Sequence, residues 1–122
     1  MGDPAVLEND PVDLHGRPFP TRHWLVCRVV HRAVSRLEAA GGVRAIEDDL
    51  VMREHVNAAH AAHRAVHAGH NVGGVADPDR VKCLHAHLAF ALASGGNPVG
   101  DWILERIDLD WPAHVCSVEG VE

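Results

Sequence analysis

The chain has 122 residues, enough for one domain with a single core. Net charge is −6 with histidine neutral, which argues against a duplex nucleic-acid binder with its broad basic face; the cations, ten Arg and one Lys, still leave room for a local arginine patch. No apolar run approaches the roughly 18 residues that span a bilayer, and the acidic start MGDPAVLENDP lacks a basic segment followed by an apolar one, so neither a membrane span nor a signal peptide is predicted and the cytoplasm is the expected compartment.

Residues 1–19 are rich in proline and poor in large apolar side chains, and read as an extended arm. PFPT then predicts a helix start with Thr21 as N-cap. Trp24, Cys27, Val30, Val34 and Leu37 recur at three- and four-residue steps, one helical stripe that Gly41-Gly42 ends. From Val43 to Ala68 there is neither Pro nor Gly; one helix of that length would run about 40 Å, so a break is expected near Val51–Arg53.

HAGHNVGGVADP reads as a loop. Asp77-Pro78 predicts the next helix, over 79–94, as N-cap and first helical residue, and Gly95-Gly96 closes it. Asn97-Pro98 repeats the start signal for a short helix to about Ile107. The expectation is an all-α protein, a small antiparallel bundle of four or five helices over 20–116, with a tail at 117–122. The helices near 21–40 and 79–94 should pack at its centre, with Trp24, Leu37, Leu84, Leu88, Leu92 and Ile103 in the core.

Chemistry concentrates in two places. RVKCLHAH holds Cys83, His85 and His87. At 100° per residue on a regular helix, Cys83 and His87 share a face and can chelate one ion, whereas His85 falls on the opposite, leucine-bearing face. His85 therefore reads as a structural histidine, held by a backbone carbonyl or a carboxylate from another helix. HAAHRAVHAGH spaces His60, His63, His67 and His70 by three, four and three. That is a ladder of metal ligands, a solvated face or a pH-sensitive packing seam. Three cysteines, an odd count in a chain expected to be cytosolic, argue against a disulfide framework. Phosphate-loop, dinucleotide, HExxH and CxxC patterns are absent.

Several blocks in order, PFPT, the aromatic and Leu before Cys27, SRLEA, RVKCLH, NPVGD and a late Trp and Cys, resemble a bacterial family known only as domain of unknown function five-hundred-and-one. The likeness covers roughly residues 17–116. It implies that Cys27, Cys83, His85 and Cys116 take motif positions, and His60 as well. Members carry a Cys-rich segment upstream of PFPT that this chain lacks, and Phe90 stands where a second motif histidine is expected.

The leading expectation is a transition-metal site, zinc or iron, with a structural or regulatory role. Its ligands come from Cys27, Cys83, Cys116, His60, His87 and His85, the three cysteines converging between helices with His60 or His87 close by. Two alternatives stand beside it. One is a metal-free interaction module that meets a protein partner or a second copy of itself. The other is a thiol enzyme built on Cys27 or Cys83, disfavoured because no third orienting group can be named. Neither nucleic acid nor membrane is an expected partner.

Overall fold

The computed structural model describes residues 3–4, 6–8, 23–25, 27–67, 69–95, 97–107 and 116–117. The architecture is all-α, with five α-helices among the described residues: α1 (Arg28–Ala39), α2 (Gly42–Glu47), α3 (Leu50–Val66), α4 (Leu84–Ser94) and α5 (Pro98–Arg106). Four short strands flank them: β1 (Asp3–Pro4), β2 (Val6–Glu8), β3 (His23–Leu25) and β4 (Cys116–Ser117). β2 and β3 pair antiparallel, Val6 opposite Leu25, and β1 pairs parallel with β4, Asp3 opposite Cys116. Val6 is fully buried and joins the hydrophobic core.

α1 starts at Arg28, later than predicted, because residues 23–25 pair with β2 as a strand. A stripe spaced 24, 27, 30 cannot reveal that its first member sits in a ladder. The N-cap role of Thr21 and the core place of Trp24 concern side chains outside the described residues. Cys27, Val30, Ala33 and Val34 are buried and Leu37 is partly so. Gly41 ends α1 in the left-handed region at φ +93°, where a glycine carries no Cβ penalty.

The break between α2 and α3 falls at Asp48–Asp49, before the predicted place. Asp49 fixes it: its carboxylate accepts from the Val51 and Met52 amides at 2.9 and 3.2 Å, which satisfies two orphan N–H groups of α3. α4 also starts later than predicted. Asp77 caps a tight turn instead of a helix, taking the Asp79 amide on its side chain and the Arg80 amide on its carbonyl. Two carboxylates from elsewhere then claim the following amides: Glu47 takes Val81 at 2.9 Å and Glu38 takes Leu84 at 2.5 Å. Asn97 and Pro98 open α5 as predicted, the Asn97 side chain accepting from Val99 and Gly100.

α4 is the central element. Leu84, His87, Leu88, Ala89, Phe90 and Ala91 are all buried, so its apolar surface runs round the helix, as a helix enclosed by neighbours requires. α1, α5 and the 3₁₀ turn at Val72–Gly74 pack on it. Leu84, Leu88 and Ile103 lie in the core as expected, while Leu92 packs at its margin. Small side chains allow close approach: a Cβ built on Gly100 of α5 would lie 2.3 Å from that of Ala91 on α4. Among the described residues, no helix is long and apolar enough to cross a membrane.

Candidate metal site

The late start of α4 changes the geometry of RVKCLHAH. Cys83 is the N-cap, with extended backbone at φ −160° and ψ 156°, and its sulfur accepts the Ala86 amide at 3.4 Å. It therefore does not obey the 100° step that separates it from His85. The expected divergence of these two residues is overturned for that reason. Glu38, Cys83 and His85 place one ligand atom each within 4.8 Å of one another. All three are half-buried.

Each member of this trio is held from outside it. The Nε2 of His85 lies 3.2 Å from the His31 carbonyl and 3.1 Å from the Ser35 hydroxyl, which itself donates to that carbonyl at 2.9 Å. A carbonyl only accepts, so Nε2 carries the proton, and Nδ1 is turned to the Glu38 carboxylate 3.2 Å away. A backbone carbonyl and a carboxylate, the two alternatives expected to hold His85, both lie against its ring, and both come from α1. Glu38 is fixed in turn by the Leu84 amide. Burial pushes the Cys83 thiol above its ordinary value, and the Glu38 charge adds to that.

Glu38 was not among the residues singled out in the sequence. It is the only acid of α1, the penultimate residue of the run RVVHRAVSRLEA, and it lies inside the SRLEA block. An acid alone among arginines was the available signal.

The other proposed ligands lie elsewhere. Cys27 is disulfide-bonded, although the odd cysteine count argued against a disulfide framework; among the described residues Cys83 is a free thiol. The ligand role of Cys116 concerns a side chain outside the described residues. His87 does not face Cys83. It is fully buried on the other side of α4, its ring 5.1 Å from that of His60. Neither of its nitrogens meets a hydrogen-bonding protein atom. Burial first, then the neighbouring His60 and His63, lowers its pKa to about 3.

The His60 ladder is a packing seam rather than a solvated face. His60, His63 and His67 are buried, and His63 packs edge-on against Phe90 at 5.0 Å. His60 has both nitrogens committed: Nδ1 accepts the Val72 amide at 3.0 Å and Nε2 donates to the Arg80 carbonyl at 2.8 Å. The Nδ1 of His63 donates to the His70 carbonyl at 2.7 Å. These bonds tie the loop between α3 and α4 back onto α3.

The chain belongs to the family described as Protein of unknown function (DUF501), whose model matches residues 1–70 and 63–105. No curated protein and no solved structure matches it.

Proposed function

Starting from a family with no assigned activity, we propose that this protein binds a divalent transition metal, zinc before iron, through Glu38, Cys83 and His85. The observation that carries the reading is the convergence of three different donor types within 4.8 Å, drawn from two helices far apart in sequence. A carboxylate and a thiolate together balance a dication, which suits a half-buried site. The Nε2–H to carbonyl bond of His85 is the outer-shell contact that metal-bound histidines usually make, and Nδ1, which faces the Glu38 carboxylate at 3.2 Å, would exchange that contact for the ion. Three protein ligands leave a fourth position of a tetrahedral ion for an exchangeable group. The ion would tie the end of α1 to the start of α4, a structural or regulatory role.

A thiol-enzyme reading gains from the same geometry, since Glu38 supplies the orienting group for His85 that the sequence did not offer. It loses on protonation. A thiol whose pKa is raised by burial and by a carboxylate stays a thiol near neutrality, and the thiol is a poor nucleophile. A cation placed between the same two groups reverses both effects.

The test is cobalt substitution of protein purified without an affinity tag and stripped with chelator. One equivalent of Co(II) should produce a thiolate-to-cobalt charge-transfer band, lost in Cys83→Ser and displaced by zinc. Because binding releases the thiol proton, affinity should fall about tenfold for each pH unit lowered. No band in the wild type, or an unchanged band in Cys83→Ser, rejects the reading and leaves the metal-free interaction module.

A further inference from the structure

The outer side of His85 opens on a second feature. Arg28, His31, Arg32 and Ser35 of α1 line a surface groove. All four are exposed. α1 is basic in a chain that is acidic as a whole, with Arg28, Arg32 and Arg36 against the single acid Glu38. Glu38 is engaged with His85 and Leu84. Among the described residues the ion pairs of other arginines are Arg80 with Glu47 and Arg106 with Glu105, and neither Arg28 nor Arg32 has a carboxylate partner.

We infer that this groove is a binding site for a small phosphate-class oxyanion. Charge complementarity carries the inference. Arg28 and Arg32 stand at i and i+4, neighbours on one helix face, so their guanidinium forks can flank one tetrahedral anion. Such charge-assisted pairs are the strong class of hydrogen bond. His31, between them in sequence, adds a ring donor. Its ring lies 4.2 Å from that of His85, so the groove and the trio share a wall. The Ser35 hydroxyl already donates to the His31 carbonyl and stiffens that wall instead of reaching the anion.

The inference stands apart from metal binding and is tested on chelator-treated protein. Inorganic phosphate is titrated at constant ionic strength, with amide and histidine ring resonances followed by NMR. Saturable shifts at Arg28, His31 and Arg32 are expected, with chloride far weaker. Arg28→Gln and Arg32→Gln should each weaken phosphate by about tenfold or more, the weight of one charged hydrogen bond. Arg44→Gln, an exposed arginine of α2 that changes net charge equally, should leave it unchanged. Equal shifts with chloride, or equal losses in Arg44→Gln, reduce the groove to a counterion atmosphere and overturn the inference. Binding to vesicles of phosphatidylcholine and phosphatidylglycerol without any response to inorganic phosphate overturns it too, by moving the ligand to a lipid surface.

Discussion

Two buried histidines show how the same residue type can act in opposite ways. His60 uses both nitrogens, one as acceptor and one as donor, and holds the turn at Val72 and the end of the Asp77–Arg80 turn in place. His87, 5.1 Å away, has no protein partner for either nitrogen. Removing one partner of a satisfied buried bond is expensive, whereas removing a polar group that has none is close to neutral or stabilising. His60→Ala should therefore lower stability by about 2–4 kcal/mol, combining two orphaned backbone groups with a cavity. His87→Leu should leave stability at pH 7 unchanged or raise it by roughly 1 kcal/mol. Urea unfolding of both variants decides the matter, and a large loss in His87→Leu would show that His87 has a bonded role.

At the level of elements, one glycine sets how closely α4 and α5 approach at Ala91. In an exposed helix, Gly→Ala gains about 1 kcal/mol in propensity. At position 100 the added methyl would meet the Ala91 Cβ at 2.3 Å, so the helices must separate. Gly100→Ala should destabilise by about 1–3 kcal/mol, and Ala91→Gly in the same chain should recover part of the loss. A denaturation midpoint above that of the wild type would mean the two helices stand farther apart. This contact was legible only in part: the many alanines and valines of the chain imply close helices, but not which glycine stands between them. Helix existence and the Asn97-Pro98 start were legible too, because stripe and cap are local. The starts of α1 and α4 were not. Each is set by groups distant in sequence, the β2 pairing for α1 and the Glu38 and Glu47 carboxylates for α4. The candidate site followed the same division. Cys83 and His85 were visible in RVKCLHAH, but their convergence depends on Cys83 standing before the helix, and Glu38 arrives from 45 residues away in Cys83's own count.

For the whole molecule, the buried histidines predict a stability that falls in acid. His60 and His87 both have folded-state pKa values below the ordinary 6.5, burial being the first cause in each. Above that value they are neutral in folded and unfolded chains alike, so pH has no grip through them. As pH falls below about 6.5, the unfolded chain takes up protons that the folded chain refuses. Each such histidine then removes about 1.4 kcal/mol of stability per pH unit until its own folded pKa is reached, about 3 for His87. From about 6.5 down to about 3, His87 alone can remove a large share of a typical margin of about 5–15 kcal/mol, and His60 acts in the same direction. Unfolding free energy measured from pH 8 to pH 4 should be flat at first and then fall steeply below about pH 6.5. Since leucine takes up no proton in either state, His87→Leu should show a shallower acid limb, by close to one proton's slope. An acid limb of the same steepness in wild type and His87→Leu would mean that position 87 binds a proton as readily folded as unfolded, and the acid sensitivity would then belong to other groups.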